Sequence, residues 1–176
     1  MRYITRIASS SGRETRGVIE ASRLEGESPT QFVTFQLGTE EYALEIGRVQ
    51  EIIRLPEITR VPRAPGFIQG VVNLRGRILP VVDLRGRLGF PPEPFGRRTR
   101  IIVVRIPEAR VGLIVDHVVE VLRLPAGAVD PAPELVVAGL DGACVKGVGK
   151  CADRLLILLD LDRIFQDDEA GALAGI

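Results

Sequence analysis

Apolar residues recur at every second position in short runs along most of the chain. Val33, Phe35 and Leu37 alternate with polar neighbours, Gly38-Thr39 interrupts, and Tyr42, Leu44 and Ile46 resume the alternation. A period of two broken by glycine predicts a β-hairpin. Further strand-like runs lie at Gly70 to Leu74, Arg77 to Leu84, Arg100 to Ile106, Val111 to Asp116 and Leu155 to Leu161, separated by proline and glycine. So many short strands predict an all-β barrel or sandwich architecture.

The chain also repeats itself. Gln31 to Pro56 lies without a gap on Arg100 to Pro125 at an offset of 69, so that Val49-Gln50-Glu51-Ile52-Ile53-Arg54-Leu55-Pro56 meets Val118-Val119-Glu120-Val121-Leu122-Arg123-Leu124-Pro125. The apolar positions Val33, Phe35, Leu37, Leu44 and Ile46 fall on Ile102, Val104, Ile106, Leu113 and Val115. The match resumes at an offset of 77, where Gly70-Val71 meets Gly147-Val148 and Arg77 to Leu84 meets Arg154 to Leu161. A tandem duplication of one β unit follows, with units at about residues 31–89 and 100–166. A unit of that size buries only about 60% of its surface and is marginal alone, so the two should pack on each other around a shared core. Residues 1–30 are rich in Ser, Gly, Glu and Arg without a period and are expected to form a flexible tail; residues 167–176, opening on Asp167-Asp168-Glu169, are expected to be a solvated terminus.

Residues shared by both halves are best explained by folding, and polar residues confined to one half are candidates for function. The comparison isolates Asn73-Leu74-Arg75-Gly76, whose counterpart is Lys150-Cys151-Ala152-Asp153. Arg75 is therefore dispensable to the scaffold and, on a turn between two strands, would present its guanidinium on a rigid base. By the same logic Arg154, in the half without the motif, should contribute little to assembly.

Composition narrows the function. The 23 basic and 23 acidic residues cancel, but Arg54 to Arg110 holds twelve arginines against four acids, whereas Val111 to Ile176 holds five basic residues against eleven acidic. That asymmetry favours charged partners or pairing within the molecule. No run approaches the roughly 18 apolar residues of a membrane helix, and the first thirty residues lack the apolar stretch of a secretory signal, so a cytoplasmic protein is expected. Cys144 and Cys151 read as buried thiols; His117, the single histidine, reads as a strand-end surface residue rather than a metal ligand. Asp83 and Asp160 are repeat-equivalent and precede Leu, which suits helix capping or turns. No G-x-S-x-G, phosphate loop or H-x-x-x-H occurs, and no nucleophile and base emerge, so no catalytic residues, metal or cofactor are expected.

Phe32 to Leu37, the Val49-Gln50-Glu51-Ile52 box, Asn73-Leu74-Arg75-Gly76, Pro80-Val81-Val82-Asp83-Leu84 and Gly112-Leu113-Ile114-Val115-Asp116 together resemble the CheW family of chemotaxis coupling proteins. The resemblance covers about Thr30 to Phe165. It implies two five-stranded SH3-like or OB-like barrels packed about a shared core, with short helices at turns and the C-terminus. It further implies a non-enzymatic adaptor joining the cytoplasmic tips of chemoreceptors to the CheW-like domain of the histidine kinase CheA, in receptor arrays at the inner membrane, without inserting in it. Carried onto this chain, the receptor- and kinase-binding positions are Ile46, Val49, Glu51, Gly70, Asn73, Leu74, Arg75, Gly76, Val111 and Gly112; Glu51 and Arg75 would pair, and Gly70 stands where a side chain would be harmful. The alternative is an oligonucleotide-binding barrel, suggested by the basic segment. The absence of Trp and the core-like positions of residues such as Phe35 argue against stacking platforms and so against nucleic acid.

Overall fold

The computed structural model describes residues 28–107, 109–134, 144–165 and 167–176; most of the expected N-terminal tail lies outside them. Strands β1 (Thr30–Leu37) and β2 (Glu40–Glu45) form the expected hairpin, turning at Gly38 with φ 63°. A short 3-10 turn over Ile46–Arg48 leads into β3 (Val49–Arg54), followed by β4 (Ile68–Leu74), β5 (Arg77–Asp83) and helix α1 (Leu84–Arg87). The second half repeats the series as β6 (Arg100–Arg105), β7 (Arg110–Val115), β8 (His117–Leu124), β9 (Val129–Asp130), β10 (Val145–Cys151), β11 (Arg154–Leu159) and helix α2 (Leu161–Ile164). Helix α3 (Asp167–Ala174) ends the chain. Asp83 and Asp160 cap α1 and α2, accepting from the amides of Arg85 at 3.1 Å and Asp162 at 3.0 Å.

The sheets do not follow the repeat boundary. One has the order β3-β6-β7-β5-β4 and the other β8-β1-β2-β11-β10-β9. Each sheet thus combines three long strands of one repeat with the leading hairpin of the other, joined through the parallel pairs β5·β7 and β2·β11. We call them the first and second barrel. The segment after β3 curls back so that Thr59 pairs with Val71 of β4, with amide bonds of 2.9 and 2.8 Å, and β9 does the same against Val148 and Gly149 of β10. That return closes each sheet and removes an exposed edge. In the second barrel it counts as a sixth strand.

Exchange of the hairpins explains why these strands are more apolar than an alternating pattern requires. In β6, Ile102 and Val104 face the core shared by the barrels while Ile101 and Val103 fill the interior of the first barrel with Leu79, Val81 and Ile114. In β1, Val33, Phe35 and Leu37 face the shared core and Phe32 enters the second barrel with Leu122, Leu156 and Leu158. Strands buried on both faces read as near-continuous apolar runs. The expectation of a solvated C-terminus is corrected, because Leu173 of α3 is 2% exposed in the shared core and Glu169 pairs with Arg87 at 2.6 Å. Its apolar positions were masked in the sequence by the acids before them.

Candidate functional site

The β4–β5 turn presents a single guanidinium on a braced support. Arg75 and Gly76 both have positive φ, 51° and 80°, as the two-residue turns matched to strand twist require. The side chain of Asn73 accepts the Gly76 amide at 2.9 Å and locks the turn. Arg75 is a non-glycine residue in the left-handed region, and Ala152 adopts the same φ of 51° at the equivalent turn. The conformation therefore belongs to the scaffold and the guanidinium is an addition to it. Arg75 donates to Glu51 of β3, and the arginine side chain is 68% exposed while the carboxylate is 17% exposed. The pair joins the turn to β3 with its donor end open to solvent.

The second barrel closes the same glutamate differently. Glu120, equivalent to Glu51, receives Arg154 at 2.5 Å, and Arg154 also reaches Glu41 at 3.4 Å. Hydrogen bonding to Glu120 raises the affinity of that guanidinium for its proton further. Arg154 is equivalent to Arg77, and the position equivalent to Glu41 is Arg110. In the first barrel Arg110 would repel Arg77, so the neighbouring Arg75 takes over the glutamate. Arg154 thus has a structural role inside the second barrel, separate from any part in assembly. The repeated glutamate was the signal: each copy needs an arginine, and only one half has Arg75 to provide it.

The remaining site positions divide by burial. Asn73 and Gly76 are exposed on the turn, Leu74 is half-buried against the interior of the first barrel, and Ile46 is half-buried against the shared core at the corner that leads to Val49, itself 8% exposed. Gly70, Val111 and Gly112 are buried and do not share that surface. Val111 is fully enclosed in the shared core. A Cβ on Gly112 would come within 2.7 Å of Ile101 and 2.9 Å of Val81, and one on Gly70 within 2.5 Å of the Thr59 carbonyl oxygen. These three positions are tightly packed within the chain, so any part they take in binding is through the shape they give the neighbouring surface. The same kind of contact recurs at the equivalent Gly147, where a Cβ would lie 2.7 Å from the Asp130 carbonyl oxygen.

Among the described residues no group of three or more His, Cys, Asp or Glu is gathered as a metal site, and no helix is long and apolar enough to cross a membrane. Cys144 and Cys151 are buried free thiols. An open pocket of about 230 Å³ between Arg60 and Gln69 has one charged side chain, Arg60, on its lining.

Two barrels packed about a shared core, the Asn73–Gly76 turn and the Val49–Ile52 box are what the resemblance to one family implies, and residues 31–169 match the CheW-like domain. The chain belongs to the CheW-like family. It is 39% identical over 161 residues to the chemotaxis protein CheW of Klebsiella aerogenes, covering 91% of this chain and 96% of that protein. It is 35% identical over 144 residues to the chemotaxis protein CheW of Helicobacter pylori, covering 82% and 86%. The crystal structure of the scaffolding protein TtCheW from Thermoanaerobacter tengcongensis superposes with a TM-score of 0.73 at 38% identity, covering 80% of this chain and 95% of that one. The CheW-like assignment accounts for the turn and the box together, and it favours the coupling reading over an oligonucleotide-binding barrel.

Proposed function

We propose that this CheW-like chain is a non-enzymatic adaptor of chemotaxis signalling that binds the CheW-like domain of the histidine kinase CheA and the cytoplasmic tips of chemoreceptors, and is held by them in arrays at the inner membrane. The observation that carries the reading is the Arg75–Glu51 pair on the Asn73–Gly76 turn, exposed and present in one repeat only. A guanidinium fixed at one end and open at the other loses little freedom when it engages a carboxylate or carbonyl group across an interface. Next to it Leu74 offers partly exposed apolar surface, the mixture found where hot-spot contacts form.

The action is positional. Holding kinase and receptor on one rigid body raises their effective concentration and biases the kinase between its states without any chemical step on this chain. The test is reconstitution of the purified chain with the kinase and a receptor fragment from the same genome. Co-sedimentation of all three and receptor-dependent control of kinase autophosphorylation are expected only when the chain is present. ATP hydrolysis or phosphotransfer by the chain alone, or no effect of the chain on the kinase, overturns the reading.

A further inference from the structure

The two barrels exchange hairpins through two equivalent crossings, and each crossing is clamped by an arginine–carboxylate pair. At the first, from β2 through Ile46–Arg48 into β3, Arg48 donates from Nη1 and Nη2 to Asp162 at 3.0 and 2.6 Å and from Nε to the Arg105 carbonyl at 3.2 Å. At the second, from β7 into β8, Asp116 accepts Arg85 at 2.5 Å and the Gly38 amide at 2.8 Å. Asp162 and Arg85 occupy equivalent positions, each the second residue of the short helix that follows β11 or β5. Arg48 is equivalent to His117, the immediate neighbour of Asp116. The two clamps therefore join corresponding crossings and helices with opposite polarity: the first crossing is cationic and its helix anionic, the second crossing anionic and its helix cationic.

Polarity matters because the apolar pattern does not choose between barrels. The faces of β1 and β6 that meet the shared core are equivalent, Val33, Phe35 and Leu37 against Ile102, Val104 and Ile106. A hairpin docked on the strands of its own repeat would bury the same kind of surface. Charge distinguishes the two arrangements. With each hairpin kept in its own repeat, Arg48 faces Arg85, whose side chain is 5% exposed, and Asp116 faces Asp162. Both contacts would be like-charged, one against a guanidinium removed from water, where screening is weak.

We infer that the reversed polarity of the Arg48–Asp162 and Asp116–Arg85 clamps is the device that makes Arg48 and Asp162 specificity-determining residues, directing each hairpin into the opposite barrel. The clamped turn carries Ile46 and runs directly into Val49 and Glu51, so a misdirected hairpin would misplace the candidate binding surface.

The test separates strength from polarity. Arg48→Asp combined with Asp162→Arg keeps opposite charges across the native contact but places a carboxylate opposite Arg85 and a guanidinium opposite Asp116 in the wrong docking. Arg48→Gln with Asp162→Asn removes the native attraction without rewarding the wrong one. Gln31 pairs with Arg123 in the structure, and its equivalent Arg100 pairs with Arg54, so a misdocked hairpin brings Gln31 to Arg54. Each background carries Gln31→Cys with either Arg123→Cys or Arg54→Cys, is refolded from urea, and is treated with a short bis-maleimide linker. The intramolecular 31–54 product is expected to rise at least threefold in the reversed pair over the neutral pair. A 31–54 yield in the reversed pair no higher than in the neutral pair overturns the inference, whatever the stability of either.

Discussion

Gly70 stands so close to Thr59 that a Cβ on the glycine would lie 2.5 Å from the threonine carbonyl oxygen, at a φ of 157°. The contact is the seam of the first barrel, where the Thr59 and Val71 amides exchange hydrogen bonds. Gly70→Ala is expected to cost about 3 kcal/mol, since neither the backbone angle nor the neighbouring carbonyl can yield cheaply. Gly147→Ala, which meets the Asp130 carbonyl at 2.7 Å without the unusual angle, is expected to cost less. Urea unfolding checks both; a Gly70→Ala midpoint equal to wild type removes the packing role given to this glycine.

Much of this fold was legible because duplication prints each element twice. The leading hairpin, the β4–β5 and β6–β7 strands, the caps at Asp83 and Asp160 and the separation of Arg75 from the scaffold all follow from local pattern and repeat comparison. Hairpin exchange was not legible, because Phe35 and Val104 face equivalent apolar surroundings whichever barrel they enter. Nor was the role of Gly147, whose constraint comes from a backbone carbonyl seventeen residues earlier in the chain, whereas the harm of a side chain at Gly70 was implied by the family resemblance. The Glu51–Arg75 contact was anticipated, whereas the ion pairs of Arg154 were not legible because its two acids come from β2 and β8, far away in sequence.

Arg154→Ala is expected to destabilise the fold by about 1–3 kcal/mol, because it leaves Glu41 and Glu120, 13% and 14% exposed, without their common cation. Arg77→Ala, at the equivalent position but exposed and without an ion pair among the described residues, should change stability by about 0.5 kcal/mol or less. Denaturant midpoints of the two variants check this. Adding Glu120→Gln to Arg154→Ala should recover part of the loss, and a strictly additive double variant would show the pair is uncoupled.

His117 should titrate below its ordinary value of 6.5, because partial burial and the nearby Arg98 and Arg100 all disfavour its charged form. Near pH 6 the unfolded chain then binds more protons here than the folded one. The contribution of this residue is fully present above about 6.5 and is lost as pH falls from there through the lower value of the folded chain. As the sole histidine in the sequence it gives one imidazole signal to follow by NMR. Arg98→Glu should move its midpoint upward; a wild-type midpoint at or above 6.5 contradicts the field described for this end of β6.

Arg75→Ala should separate signalling from folding. The left-handed backbone it occupies already carries alanine at Ala152 with the same φ of 51°, so the turn itself loses little. The ion pair it gives up is 68% exposed on the arginine side and of the kind that contributes about 0–1 kcal/mol, which leaves the unfolding midpoint close to wild type. At an interface the balance differs. An arginine anchored by Glu51 and engaged by a partner is worth about 2 kcal/mol on truncation, about thirtyfold in affinity. Arg123→Ala is the matched control, exposed on β8 and without an ion pair among the described residues. Titration of kinase and receptor fragments against both variants, beside their melting curves, checks the expectation. Equal affinity for Arg75→Ala and Arg123→Ala, or an Arg75→Ala loss that follows only from a collapsed melting temperature, removes Arg75 from the binding surface.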